Sequence, residues 1–386
     1  MKPSLKNKLE IEDIIKRLLK RIEDSDLESY DPFDGLNSAP VRIISKINPL
    51  LGRIGLQIVK QNPVNIRPFL FQPKIKNDPK VLADLIQSYI LLAEHFDDNS
   101  LLEKAKSLGE LLYNEKNDNT KNISWGLKFP YYSRYVNFSG VSNLFTTINS
   151  AFALQELYRI TNDKKYLDWL SSVERFMFEE LGSIEEGEAA YFRYYPNLES
   201  PVYNVNSLAL KYFARKLNYN TSNLNTANSL FNFLIKNQNN DGSWYYSKDS
   251  IGKWIDGFHT GYTLEGIIEY IKNGHNTNYN KTLEKNVNFY LKNLISDNFP
   301  LYKEGTKFPI DSQNCSQAIQ TRVYFTYLEM DSLDEVLKML KLINNQLYNT
   351  DSYIFQKNKY YKNELFTLRW SQTPFLLALV LLLREL

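Results

Sequence analysis

Two kinds of helix alternate along this chain. Segments such as 149–154, 206–210, 259–264, 314–319 and 371–376 begin with small or polar residues and then become apolar. Each of the segments before the last is followed by an amphipathic stretch, the clearest being 164–180, 223–236, 281–294 and 333–347. Because a helix that is apolar all round is normally buried, the first kind predicts inner helices and the second predicts outer ones.

The inner segments recur about every 55 residues, which indicates an internal structural repeat. An earlier apolar helix over about 79–95 supplies a sixth copy. Six helical hairpins that close on themselves form an all-α (α/α)6 toroid, or six-hairpin barrel. We therefore predict one toroid domain over residues 75–386.

The loop before each inner helix is long and aromatic, as in YFRYYPNLESPVYN and GSWYYSKDSIGKWIDGF. Long ordered loops are usually functional, and this composition is not typical of disorder. All of these loops should emerge at one end of the ring, as short β-hairpin-like rim segments. This rim is where we expect a pocket.

The two ends of the chain predict no membrane span. Apolar residues from Leu9 to Leu19 recur at helical spacing between charges, which predicts an amphipathic helix that docks on the ring rather than a signal sequence. The apolar run 374–383 is too short to cross a bilayer. Prolines at 63, 68 and 73 break regular structure, so we expect residues 1–74 to form an N-terminal extension packed on the barrel.

Net charge, cysteine count and aromatic content exclude some classes of protein and favour others. Forty-six basic and 44 acidic residues give a formal net charge of +2, which provides no electrostatic argument for nucleic-acid binding. One cysteine, Cys315, excludes an intrachain disulfide and suits a reducing compartment, so we expect a cytoplasmic protein with no metal and no cofactor. Aromatic residues make up 14% of the chain, which favours stacking surfaces.

The strongest candidate for chemistry is the segment WIDGFHTGY, residues 254–262. Asp256 could orient the imidazole of His259 and raise its basicity, which would make an acid–base pair. Equally, Asp256 could simply cap the helix that His259 begins. The sequence leaves both interpretations open.

Polar residues at the register of His259 in other repeats include Asn149 and Asn206, which could line the floor of a central cavity or only cap their helices. Of the loop carboxylates, we expect Asp256 and Asp311 to face the cavity. Should a carboxylate pair be absent, a tyrosine is the alternative proton donor, the candidates being Tyr131, Tyr132, Tyr194 and Tyr195.

Aromatic and cationic residues of the loops could hold a sugar by stacking and by bidentate hydrogen bonds. The predicted stacking residues are Trp125, Tyr132, Trp244, Trp254 and Trp370. The candidate clamps for acidic groups are Arg67, Arg134, Arg193 and Arg369. The alternative is that most loop aromatics pack on each other and keep the rim rigid.

Several enzyme classes lack their required residues. One cysteine is too few for a zinc lanthionine cyclase, and no GxSxG or GxxxxGK[ST] motif is present. The segment QNNDGSW, residues 238–244, resembles the Gln-x-x-x-Gly-x-Trp motif of triterpene cyclases and other α/α toroids. The DxDD motif of those cyclases is absent, so a terpenoid-type cyclase is only an alternative.

Six further pieces of sequence are spread over nearly the whole chain, namely YDPFDGL (30–36), NIRP (65–68), WG (125–126), DGSW (241–244), WIDGFHTGY (254–262) and PID (309–311). Together they resemble a poorly characterised bacterial and archaeal family of (α/α)6 proteins encoded with surface-polysaccharide genes. The fold of that family is similar to six-hairpin glycosidases, sugar 2-epimerases and glucuronyl C5-epimerases. The resemblance implies action on a glycan or uronic acid and association with polysaccharide-assembly proteins.

This sequence departs from the family pattern at two places. Pro130 stands where an acid is expected, and Gln313-Asn314 stands where a His-Ser pair is expected. We include Gln313 among the predicted substrate contacts. The resulting hypothesis is a hydrolase, lyase or epimerase for an acidic sugar, with Asp256 and His259 as catalytic residues. The alternative is a catalytically silent glycan-binding or scaffold protein of the same pathway.

Overall fold

The computed structural model describes residues 3–132, 136–137, 140–216, 223–273 and 280–386. Fourteen α-helices lie within these ranges. In chain order they are α1 (Pro3–Glu23), α2 (Ala39–Ile47), α3 (Pro49–Gln61), α4 (Pro79–Phe96), α5 (Asn99–Asn114), α6 (Leu144–Thr161), α7 (Lys164–Arg175), α8 (Tyr203–Lys216), α9 (Leu224–Lys236), α10 (Gly257–Lys272), α11 (Asn280–Asn293), α12 (Ser312–Thr326), α13 (Leu333–Leu347) and α14 (Thr373–Arg384).

Six of these helices form a closed inner ring. Each helix packs against the next in the series α4, α6, α8, α10, α12 and α14, and α14 packs against α4. Their apolar residues belong to one hydrophobic core, with Leu154, Leu210, Leu264, Ile319 and Leu379 fully buried. The fold is an all-α (α/α)6 toroid, as the repeat predicts.

The outer layer includes one helix from residues 1–74, the predicted N-terminal extension. Helices α5, α7, α9, α11 and α13 each pack on the inner helix before them, which leaves α14 without a following partner. Helix α1 takes that place, because it packs on α14 and buries Ile14, Leu18 and Ile22 in the main core. The first helix therefore completes the sixth hairpin, and only the segment that follows it is added to the ring.

The loops between helices contain short β-strands. They form four two-stranded sheets, β1 with β2, β3 with β4, β5 with β6 and β7 with β8, and one three-stranded sheet in the order β11-β10-β9. Their bounds are β1 (Glu28–Ser29), β2 (Ile75–Lys76), β3 (Tyr131–Tyr132), β4 (Val136–Asn137), β5 (Ser183–Glu186), β6 (Ala189–Phe192), β7 (Ile295–Ser296), β8 (Phe299–Pro300), β9 (Ile310–Asp311), β10 (Gln356–Lys357) and β11 (Lys362–Asn363). All the described pairings are antiparallel.

Helices α2 and α3 form a separate hairpin. Its small core of Leu36, Val41 and Val59 is distinct from the core of the ring. The two helices lie very close together, since a Cβ atom on Gly52 would come within 2.5 Å of the Ser45 Cα. No described helix is both long and apolar enough to cross a membrane.

Candidate functional site

A cavity of about 410 Å³ opens at the end of the ring where the inner helices begin. Asp78, Asn143, Asp256 and Asp311 cap the first turns of α4, α6, α10 and α12 with their side chains. These caps are the local reason why the inner helices start where they do. The cavity is lined by Lys80, Asn143, Asn204, His259, Gln313 and Arg369 from helix starts, together with aromatic loop residues.

His259 and Asp256 form a hydrogen-bonded pair at this wall. The imidazole Nδ1 lies 2.7 Å from Asp256 Oδ2, while the other carboxylate oxygen accepts the His259 backbone N–H at 2.9 Å. Asp256 therefore makes both of the contacts that the sequence suggests, since it caps the helix and also contacts the imidazole. His259 Nε2 makes no hydrogen bond to any described residue, and the ring lines the cavity.

The surroundings of Asp256 favour its ionised form. Burial alone would raise the pKa of the Asp256 carboxyl, but its electrostatic interaction with His259 and the hydrogen bonds that the carboxylate accepts outweigh burial and lower this pKa. Trp254 Nε1 supplies one of those bonds, at 3.0 Å. A carboxylate that stays ionised holds the proton on Nδ1, which leaves Nε2 as the basic nitrogen.

Aromatic rings confine the imidazole. Tyr246 stacks on Trp254 with 4.6 Å between ring centroids, and its edge-to-face contact with His259 is at 4.7 Å. The Phe258 ring is also close, with 3.9 Å between its centroid and that of the imidazole. These contacts fix the direction in which the basic nitrogen can act.

Three cationic side chains line the same cavity. Lys80 is paired with Asp84 at 2.6 Å, and the buried Arg369 lies 3.6 Å from Asp78 and 3.8 Å from Asp31. Lys60 has its ammonium 4.1 Å from the centre of the Phe33 ring and no ion pair within the described residues. Burial lowers the pKa of Lys60, although Asp311 and Asp31 oppose that effect.

Asp311 is the one carboxylate among the described residues that line the cavity. It caps α12 and accepts a hydrogen bond from Gln356 Nε2 at 3.1 Å. Burial raises the pKa of its carboxyl group. An isolated carboxylate of this kind does not make the pair that glycoside hydrolysis normally requires.

Four residues at the cavity wall carry a buried polar atom that makes no hydrogen bond. Among the residues that the structure describes, Asn204 Oδ1, Gln313 Oε1, Thr146 Oγ1 and Arg369 Nε are buried and make no hydrogen bond. All four residues line the cavity. Unsatisfied buried polar atoms are costly, and they often mark functional sites.

The structure brings together six of the predicted contact residues and places Asp256 directly behind them. Those that line the cavity are Trp254, His259, Asp311, Gln313, Arg369 and Trp370. Tyr194 and Tyr195, the alternative proton donors, line it as well. Arg134 and the side chain of Tyr132 lie outside the described residues, as does the side chain of Tyr131.

Three predicted contact residues are structural instead. Trp125 and Trp244 are buried, and their indole N–H groups donate to the carbonyls of Leu112 and Leu234, both at 2.8 Å. Arg67 is buried against Asp34 at 2.9 Å and also donates to two backbone carbonyls. None of the three lines the cavity, because the hydrogen bonds of each side chain hold its loop to a neighbouring segment of the chain.

Two polar residues that were predicted to line the cavity, Asn149 and Asn206, do not line it. The Asn149 side chain donates to the Phe145 carbonyl one turn earlier, at 2.8 Å. The Asn206 side chain exchanges hydrogen bonds with the backbone of Phe192 and anchors strand β6. The cavity wall is formed instead by residues nearer the helix starts, such as Asn204 and Asn143.

Sequence reasoning missed several residues of the wall, notably Lys60, Lys80, Tyr246 and Tyr262. Lys80 and Tyr246 could have been found from their positions just inside or before a predicted inner helix. Lys60 could not, because it comes from α3, outside the repeat. Within the described parts of the chain, no group of three or more His, Cys, Asp or Glu residues is placed to hold a metal ion.

Comparison with known proteins supports the fold class. No protein-family model matches this chain, and no curated protein matches its sequence. Among solved structures, the chain is similar to cellobiose 2-epimerase from Spirochaeta thermophila, with a TM-score of 0.62, 10% identity, and coverage of 80% of this chain and 85% of that chain. It is also similar to D-mannose isomerase (TM-score 0.62, 9% identity, 80% and 88% coverage).

A third similar structure is an inactive variant of an α-1,6-mannanase from Salegentibacter in complex with α-1,6-mannotriose (TM-score 0.57, 13% identity, 80% and 88% coverage). Identities this low establish the architecture alone. The chain therefore shares the (α/α)6 toroid fold with these structures, which include a sugar epimerase, an isomerase and a mannanase, and with a polysaccharide lyase.

Proposed function

We propose that this protein is a carbohydrate-active enzyme that moves a proton on an acidic sugar, as an epimerase or a lyase. The observation that carries the proposal is the His259–Asp256 pair, whose basic nitrogen is directed by a buried carboxylate at the wall of a cavity that three cationic side chains also line. Of the hydrolase, lyase and epimerase that the sequence suggests, hydrolysis is disfavoured because Asp311 has no second carboxylate beside it among the described lining residues.

Proton abstraction next to a carboxylate fits these groups. His259 Nε2 would take the proton from the carbon that bears the carboxylate of a uronic acid, and the electron pair left behind would spread onto the carboxylate oxygens. Lys60 and Arg369 would stabilise that added negative charge. Return of a proton to the opposite face, from a second group such as Tyr194 or Tyr195, inverts the carbon. Alternatively, the oxygen substituent leaves the neighbouring carbon and takes up the proton held by His259, which gives an unsaturated sugar.

The cationic groups support an acidic rather than a neutral substrate. Lys60 has no ion pair within the described residues, and a uronate carboxylate would supply one. The same cations, Arg369 above all, argue against a terpenoid-type cyclase, which needs an apolar cavity. A cytoplasmic role in polysaccharide or glycan biosynthesis, beside the assembly proteins of such a pathway, is the setting that we propose from the family resemblance.

Incubation of the purified protein with uronic-acid oligosaccharides in deuterated water tests the proposal. An epimerase incorporates deuterium at the carbon next to the carboxylate, and a lyase gives a product with a new double bond, detected by ultraviolet absorbance and mass spectrometry. New reducing ends without either signal would identify a hydrolase and contradict the proposal. His259→Ala should abolish turnover, while the control His95→Ala, at a partly buried histidine near Glu12 that does not line the cavity, should retain it.

The second candidate is a glycan-binding protein without turnover, favoured by Gln313 and Pro130 at positions where the resembling family is expected to have reactive groups. It predicts sugar binding by calorimetry with no chemical change in the sugar. In that case His259→Ala would leave binding and folding intact and would change no product.

A further inference from the structure

The α2–α3 hairpin exposes an unusual amount of apolar surface. Ile43, Ile47, Leu50, Leu51 and Ile54 are between 49% and 79% exposed, and we refer to them as the apolar tip. More than half of the exposed large apolar side chains in the described part of the chain lie between residues 43 and 71. Contiguous exposed apolar surface of this kind usually marks an interaction site.

The local sequence explains why these residues face outward. Asn48 both ends α2 and caps α3, where its side chain accepts from the backbone of Leu50 and Leu51, so one residue joins the two helices. The inner faces are occupied by the close contact at Gly52 and by the small core around Val59. Leu50, Ile54 and Ile58 follow each other at four-residue spacing on the opposite, exposed face of α3.

The charge of this segment is one-sided. Residues 35–77 contain seven basic residues and no Asp or Glu, the basic ones being Arg42, Lys46, Arg53, Lys60, Arg67, Lys74 and Lys76. The remaining chain has 39 basic residues against 44 acidic ones, so it is net acidic. Arg42, Lys46 and Arg53 are exposed beside the apolar tip.

We propose that the α2–α3 hairpin docks this protein on the surface of an anionic phospholipid bilayer. Apolar side chains that enter the headgroup region, flanked by basic residues and without acidic ones, are the signature of an interfacial helix. The charge decides between occupants, because an anionic surface complements the exposed Arg42, Lys46 and Arg53, whereas a second copy of this hairpin would repel them.

The docking surface continues into the cavity wall. Lys60, in the last turn of α3, lines the cavity, and it follows Leu50 by ten residues, or about 15 Å along a helix. The bilayer would thus lie close to the cavity, which suits a substrate carried on a lipid. The docking proposal does not depend on which reaction the cavity performs.

Flotation of the full chain with vesicles tests the proposal. We expect binding to vesicles of phosphatidylcholine with phosphatidylglycerol, weak binding to pure phosphatidylcholine, and loss of binding at high salt. Leu50→Trp should show a blue shift of fluorescence and quenching by brominated lipid on binding. Absence of binding to anionic vesicles at low salt would overturn the proposal.

Matched variants locate the surface. Ile47→Ser should weaken binding about tenfold, while Ile251→Ser, at an isoleucine of similar exposure elsewhere, should leave it unchanged. Arg42→Glu with Lys46→Glu should remove binding to anionic vesicles, since each basic residue near such a surface contributes about fivefold. Lys292→Glu serves as the control for charge.

Circular dichroism melts establish that each variant is folded. Equal losses for Ile47→Ser and Ile251→Ser would contradict the assigned surface. A dimer in light scattering that Ile47→Ser converts to a monomer would show that a second copy covers the tip, and this too would overturn the proposal.

Discussion

Trp370 Nε1 donates a 2.8 Å hydrogen bond to Oδ2 of Asp31, which lies 339 residues earlier in the chain. Trp370 lines the cavity, whereas Asp31 is buried behind it. A second bond beside this one joins the backbone N–H of Leu368 to Ser29 Oγ at 3.0 Å. One wall of the cavity is therefore built from both ends of the chain, and its position depends on the segment that follows α1.

Stability should fall with rising pH because of Asp31. Burial raises the pKa of this carboxyl to about 7, although Arg369 opposes the effect. Between the usual value of about 4 and this raised value, the folded state holds a proton that the unfolded state has released, so ionisation on the way up destabilises the fold. Asp31→Asn cannot ionise and should remove that part of the slope.

Urea unfolding of the wild type and of Asp31→Asn at several pH values between 4.5 and 8 measures this effect. Whatever constant offset the substitution introduces, the wild type should lose stability relative to the variant as the pH rises. Asp118→Asn, at an exposed loop carboxylate, is the control. Parallel curves for the wild type and Asp31→Asn would contradict the prediction.

Asp256→Asn should remove the orienting contact to the His259 imidazole while keeping the cap of helix α10. The asparagine can still accept the His259 backbone N–H, so the helix cap survives, but its amide nitrogen cannot accept from the imidazole Nδ1–H. We expect turnover to fall by about 10²- to 10⁴-fold in kcat with a small change in KM. Nitrogen NMR of the imidazole should show the proton moved from Nδ1 to Nε2. Unchanged ring shifts together with lost activity would contradict the orienting role.

Lys60→Met should weaken binding of acidic sugars without destabilising the protein. The ammonium is partly buried and its charged form is disfavoured, so an isosteric apolar side chain beside Phe33 should keep the free energy of unfolding within about 1 kcal/mol of the wild type. Calorimetry should show binding of a uronate reduced about five- to tenfold and binding of the matching neutral sugar unchanged. Equal losses for both sugars would argue against charge recognition by Lys60.

The two kinds of tryptophan should respond in opposite ways. Trp125→Phe leaves the buried Leu112 carbonyl without its donor and should lower the free energy of unfolding by about 1–3 kcal/mol, with turnover retained below the melting transition. Trp254→Phe removes a hydrogen bond to Asp256 at the cavity wall and should reduce turnover more than stability. Thermal melts and deuterium incorporation, measured on both variants, compare the two effects. The reverse pattern would contradict the assignment of the two residues.

The sequence alone determined the ring, because six apolar helices at nearly constant spacing can bury themselves only against one another. It also identified Asp256 and His259, since a cap and the first turn of a helix are local and their three-residue separation fixes the contact. Trp254 and Asp311 were found for the same reason, as residues next to the start of an inner helix.

Only the tertiary structure decided which polar and aromatic residues face the cavity. Trp125 and Trp254 look alike in sequence, yet one donates its N–H to a core carbonyl and the other to Asp256. The place of α1 as the sixth outer helix and the arrival of Lys60 at the cavity depend on contacts across hundreds of residues. Such contacts leave no periodic trace in the sequence, since they follow from how the ring closes.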